Sequence, residues 1–559
     1  MPMTKRNWFL SITALLVLGA ASASFASSSA RRNAGLDGTT QGDADRSHEA
    51  LLSTIVRRIG NELPFNPRSI AHLEQAWQRF TEGRLDQAMA SCELAIQADP
   101  RAALAYFVRG IIRVAGGDPE EAIRDLSTAI ELNPELGGAR LLRGRTYDAL
   151  GLVREALADY DALCRSTDAP WVAYYFRGIA HRHLGQFQQA IDDFDVVAAI
   201  EPAFADAYYY RGLTHNDLKD YASAIPDFTT VIQLIPEDAQ AYNNRGIAHD
   251  ELGLSELALA DYTKAIEING YYKAHYNRGL LLKRLGRLDE ALQDHNRAIE
   301  DEPEFAWAYH GRGSVYLAQG KIEQAMADYN RTIALAPKER WGYMGRGNAY
   351  QAQGQIELAI QDFSTIIALE PDVDTAYYNR GNAYGELGDR TQAIADYTKA
   401  ISLNPKGADA YMNRGLAYQR QGELESAMAD YEAALAIDPD NPDGYNNRGN
   451  VYILQERIDD AHAEFERAMK LNPQHAPTHN NMGMVYIARG DSARALEAFD
   501  RAVQLDPKGG EFYNNRAAAH LNLGHYDQSW DDVHQAEELN ITIPEPLLRF
   551  LRQRSGRNQ

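Results

Sequence analysis

The chain is 559 residues long, carries a formal charge of −22 and contains only two cysteines. That acidity disfavours nucleic acid or an anionic membrane surface as the main partner. Two cysteines supply neither a disulfide framework nor a paired-cysteine zinc site.

Taken in chain order, residues 1–26 have the layout of a secretory signal. Lys5 and Arg6 precede an apolar run from Trp8 to Leu18, and both Ala21-Ser22-Ala23 and Ser24-Phe25-Ala26 fit a cleavage site. The run is short for a membrane span of about 20 residues. A periplasmic or secreted protein is therefore expected, with an uncleaved N-terminal anchor as the alternative. Residues 27–68 read as a flexible linker with a short amphipathic capping helix, marked by Leu51, Leu52, Ile55, Val56 and Ile59, that covers the start of the segment from residue 69 onward.

From residue 69 to residue 543 one pattern recurs fourteen times. A small residue returns every 34 positions, from Ala76 and Gly110 through Gly381 and Gly415 to Ala517, and only the step from Gly246 to Gly279 is one residue short. With that residue numbered 8, position 20 is Ala in thirteen units, position 15 is Gly in most, and position 32 is Pro in eleven. Gly at 15 ends a first helix in a left-handed cap, and Pro at 32 stops a second. Small residues at 8 and 20 let the two helices approach closely. A period of this length means stacked units, none able to bury its apolar face alone. The pattern resembles the tetratricopeptide repeat (TPR). The resemblance implies an all-α fold, a right-handed α-solenoid superhelix of about fourteen helix–turn–helix units. Almost no chain is left over for a catalytic domain, so no enzyme and no cofactor are expected. Residues 544–559, with Leu547, Leu548, Phe550 and Leu551 among Arg549, Arg552, Arg554 and Arg557, read as a C-terminal capping helix and basic tail.

Position 7, usually apolar in the family, is Arg in twelve units. Position 23 is acidic in the same twelve, and the two units with Gln75 and Met482 carry Ser91 and Ala498 instead. This matching predicts an Arg–carboxylate bridge inside each unit. Cys92 and Cys164 occupy core positions two repeats apart, too far for a bond whose Cα separation stays below about 7 Å. His181, His215 and His249 share position 11 of successive units. Packed helices lie about 8–10 Å apart, so this register reads as three aromatic-slot substitutions and no metal site is expected. Pro226 inside a second helix, and Asn269-Gly270 at the one-residue deletion, are expected to bend the stack.

In the family the first helices line a concave groove, and positions 2, 6, 9 and 13 share one helical face. Position 6 is Asn in Asn244, Asn277, Asn379, Asn413, Asn447, Asn481 and Asn515. A side-chain amide can satisfy a peptide group completely, so such a row could hold an extended chain by its backbone. It is similar to the asparagine ladder of O-linked N-acetylglucosamine transferases, without their catalytic region. The alternative is that these amides brace neighbouring helices. Earlier units instead carry Phe107, Tyr175, Phe176, Tyr209 and Tyr210, either anchors for a partner or core. The expected partners are other proteins, bound in the groove; carbohydrate is the alternative ligand.

Overall fold

In a computed structural model the described residues are 66–166 and 169–557. The expected leader, linker and N-terminal cap, residues 1–68, lie outside this range up to residue 65, and the first helix begins at Pro67 with Asn66 as its cap. The described residues form twenty-nine α-helices and no strand. They come as consecutive pairs, such as Asp374–Glu386 with Arg390–Leu403 in repeat ten, ending in a single last helix. The fold is an all-α solenoid. The chain divides into two compact units after Leu281. Repeats one to six lie in the first and repeats eight to fourteen in the second, while the first helix of repeat seven, Tyr272–Arg284, carries the boundary.

The helical hairpin rests on three residue types. Backbone φ is positive at position 15, for instance +72° at Gly354 and +85° at Gly422. The two repeats without Gly there adopt the same conformation, with φ of 60° at both Lys219 and Glu456. The turn geometry is therefore set by the packing of the pair, and Gly only lowers its strain. Ala at position 20 is wholly buried in repeat after repeat. Gly at position 8 lies under the ring at position 24: a Cβ added at Gly347 would sit 2.7 Å from Phe363, and one at Gly381 2.8 Å from Tyr397. Even alanine would force those rings to move.

The helix Tyr221–Leu234 runs through Pro226 without interruption. At the deletion, the helix Ser255–Asn269 closes on Gly270, whose φ is 64° and whose N–H donates to the Ile266 carbonyl. The last helix, Glu545–Ser555, covers the apolar face of repeat fourteen. Leu551 is fully buried with Trp530 and Val533, the Trp530 indole donates to Ser555 Oγ, and Arg557 pairs with Asp527. Among the described residues no helix is long and apolar enough to cross a membrane.

Candidate binding face on the first helices

The recurring charges are consumed inside the fold. Eleven of the twelve expected Arg–acid pairs lie wholly within one of the two compact halves of the chain, and all eleven are formed, from Arg109 with Asp125 to Arg516 with Asp532. Arg380 is typical: Nε and Nη2 donate to the two carboxylate oxygens of Asp396 at 2.7 and 2.8 Å, and Asp396 is buried. In repeat thirteen, which lacks the pair, Met482 is buried in place of the Arg. In repeat one, Arg79 reaches Ser91 instead.

Sequence reasoning missed the third arm of this group. Nη1 of the Arg reaches back to position 25 of the preceding repeat: Arg380 to Ser364, Arg346 to Asn330, Arg414 to Thr398 and Arg516 to Asp500. The signal was present, since position 25 holds a polar acceptor in successive units. These Arg side chains therefore join repeats as well as helices, and their guanidinium groups are already engaged on both sides.

The asparagines at position 6 are half-buried and reach position 5 of the repeat before. Asn244 donates to the Tyr209 hydroxyl, Asn277 to Asn243, Asn379 to Met344 Sδ, Asn413 to the Tyr378 hydroxyl, Asn481 to Asn446 and Asn515 to Asn480. Asn447 accepts from Asn446. The amides thus brace the stack, yet not with every atom: among the described residues nothing donates to Oδ1 of Asn277, Asn379 or Asn413. Around them, positions 2 and 13 are exposed, as at Thr375, Glu386, Asp409, Arg420, Asp443 and Leu454.

Two members of the aromatic stripe lie in the core. Phe107 and Tyr175 are 5% and 7% exposed, because each fills the space between its own hairpin and the next repeat. Tyr175 meets Phe204 and Tyr210 edge-on at 5.1 and 5.8 Å. Phe176, Tyr209 and Tyr210 remain half-buried, and the Tyr209 hydroxyl is tied to Gln240 and Asn244. These residues are mainly packing. Burial also pushes the Cys92 and Cys164 thiols up to about 12. His249 bonds Asp261 at 2.9 Å, the carboxylate that Arg245 holds.

The Asn row is broken in repeats eight and nine, where position 6 is Gly311 and Gly345 and position 2 is Trp307 and Trp341. The two indoles lie 5.5 Å apart, with Arg340 over the Trp341 ring at 4.3 Å. A further departure lies in repeat ten, where position 12 is Gly385 and a cleft of about 350 Å³ opens beside it.

Tetratricopeptide repeat profiles match residues 107–170, 141–202, 175–236 and 378–442, then 279–320, 313–354 and 347–388, then 419–481, and finally 239–272 and 476–508. Together these matches cover more than half of the chain. The chain belongs to the tetratricopeptide repeat family. Tetratricopeptide repeats are protein–protein interaction units and generally non-catalytic, and this TPR protein is an interaction scaffold of that class. No curated protein matches it. Among solved structures it is similar to the APC/C hetero-tetramer Cut9–Hcn1, at 16% identity over 84% of this chain and 98% of that one, with a TM-score of 0.45. It is also similar to a tetratricopeptide repeat protein from Parabacteroides merdae, at 20% identity over 44% and 98%, TM-score 0.38. A third is YrrB, described as a TPR protein with an unusual peptide-binding site, at 23% identity over 33% and 95%, TM-score 0.29.

Proposed function

We propose that this TPR protein is an exported, non-catalytic scaffold that binds extended peptide segments along the face formed by positions 2, 6, 9 and 13 of its first helices. The observation that carries the reading is the residual hydrogen-bonding capacity of the position-6 amides. Once the Arg–Asp pairs and the Gly–ring contacts are set aside, the regular polar groups left accessible are these half-buried asparagines. Three of them, Asn277, Asn379 and Asn413 in repeats seven, ten and eleven, keep a carbonyl oxygen that is unused among the described residues. Such acceptors suit the N–H groups of a chain laid across several repeats, with little regard for its sequence. Export rests on the basic-then-apolar layout of residues 1–26 and is checked by the N-terminal sequence of the protein isolated from its source.

The test of the face is retention of a random dodecapeptide pool by the full chain and by the Asn379→Ala, Asn413→Ala, Asn447→Ala and Asn481→Ala variant. Retention by the first and its loss in an equally stable second is expected. Equal retention would return the amides to bracing alone. A second reading, carbohydrate handling, is favoured by the adjacent Trp307 and Trp341 rings, since indoles stack on sugar faces. Retention on polysaccharide but not on peptide, abolished by Trp341→Ala, would put that reading in place of the first.

A further inference from the structure

In several repeats the side chain at position 12 lies against the ring at position 24, as Leu317 in the cluster of Tyr329, Ile453 in that of Phe465 and Ile487 in that of Phe499, while Arg182 and Gln351 reach position 13 of the next repeat. In two repeats where that ring is Tyr the side chain at position 12 takes up the hydroxyl: Tyr160 donates to Asp148 at 2.7 Å and Tyr431 to Gln419 at 2.8 Å. Repeat ten has no side chain there, because position 12 is Gly385. A Cβ added at Gly385 would meet nothing closer than the Tyr397 hydroxyl, at 3.7 Å. The slot is open, and the cleft of about 350 Å³ occupies it. Tyr397 is redirected to position 9, where its hydroxyl donates to Asn382 Oδ1 at 2.8 Å. Asn413 Nδ2 donates to the same oxygen at 2.9 Å.

Two donors on one carbonyl oxygen fix the orientation of the Asn382 amide. Among the described residues its Nδ2 has no acceptor, and Asn382 lines the cleft. Arg390 and Arg420 line it too, and among the described residues neither guanidinium makes an ion pair or a side-chain hydrogen bond. The one carboxylate in the lining, Glu386, accepts from Gln351 at 2.9 Å. The cleft therefore carries an excess of positive charge and of hydrogen-bond donors, on a face whose exposed neighbours include Asp409 and Asp443.

We infer that this cleft receives the carboxylate of an Asp or Glu side chain from the bound peptide. The inference rests on the peptide-binding reading and adds to it. The asparagine row grips backbone without choosing a sequence, and the Gly385 cleft supplies the choice. Asn382 Nδ2 and the two guanidinium groups are the donors, and charge-assisted bonds of this kind are the stronger sort. The open floor takes a side chain while the peptide continues along the first helices.

The test is selection from a random dodecapeptide library with amidated C-termini, on the full chain and on two variants. Gly385→Gln fills the slot with the residue that repeats nine and eleven already carry there as Gln351 and Gln419, so it keeps the fold. Arg390→Gln removes one of the two positive charges, off the face that holds the peptide, and leaves the space. The expected result is enrichment of Asp or Glu at one peptide position on the full chain. Both variants lose that enrichment and bind the enriched peptides roughly tenfold more weakly, while still retaining peptides as a pool. Peptides selected without acidic preference, or a preference that survives either variant, would overturn the inference and leave the peptide reading standing. Acid dependence seen only in a library with free C-termini would assign the cleft to a chain end and overturn the side-chain assignment. No retention of any peptide would remove both.

Discussion

At the scale of single residues, the Arg at position 7 does most to hold this molecule together, and its partners can be measured one at a time. Arg380 binds Asp396 in its own repeat and Ser364 in the preceding one. It also stacks on Tyr377, with the guanidinium 5.7 Å from the ring centre. Removing either charge strands the other in a buried setting, at a typical cost of about 3–5 kcal/mol. Arg380→Met and Asp396→Leu should each destabilise by that order in urea unfolding, and the double variant should cost much less than their sum. An additive double variant would mean that the pair is not coupled. A second residue-scale prediction concerns His295, which fills the position-24 slot that ten other repeats give to Tyr or Phe. Burial pulls its imidazole down from the ordinary 6.5 to about 3, and that of His310 to about 4. Below pH 6.5 the unfolded chain becomes protonated at these groups while the folded chain stays neutral. Stability is therefore full above 6.5 and falls as the pH drops toward the folded values. From pH 6.5 to 5 each such group removes up to about 2 kcal/mol. His295→Phe should flatten the fall of melting temperature over that window, and an unchanged slope would exclude His295 as its source.

At the scale of the element, the helical hairpin was legible in the sequence because each of its devices is one residue at one position: Gly 8 under the ring at 24, Ala 20 in the contact, Gly 15 in the turn. The left-handed turn persists at Lys219 and Glu456, where a side chain makes it strained. Glu456→Gly should therefore stabilise the protein by about 0.5–1 kcal/mol in chemical denaturation, net of the extra freedom Gly gives the unfolded chain. A loss of stability would mean that the Glu456 side chain contributes more than its backbone costs. What the sequence left open at this scale was contact between neighbouring repeats. The pairing of Arg with Asp could be read from the two units that lack both members. The third arm, to position 25, was harder to read, because that position varies among Ser, Thr, Asn, Asp, Glu and His and only its polarity is shared. For the same reason Phe107 and Tyr175 could be taken equally well for surface or core. Their burial depends on how closely the next hairpin sits, which periodicity alone does not state.

At the scale of the whole molecule, the residues that keep the register build the stack, and those that leave it mark where function is expected. Gly385 and the Trp307–Trp341 pair are departures from an otherwise repeated background, and that background serves as their internal control. Gly385 was visible in the sequence as one more glycine. The open slot beside it depends on Tyr397, Asn382 and Asn413, brought together from three helices. The net charge of −22 gave no hint of a cleft with an excess of arginine, since a total says nothing of a local imbalance. The central claim is that peptides lie along the first helices. The most direct measurement is photo-crosslinking of retained benzophenone-labelled dodecapeptides to the full chain, with the attachment sites mapped by mass spectrometry. Attachment at positions 2, 6, 9 and 13 of the first helices, such as Thr375, Asn379, Asn413 and Leu416, is the predicted result. Attachment concentrated on the second helices or on the loops between repeats would contradict the account.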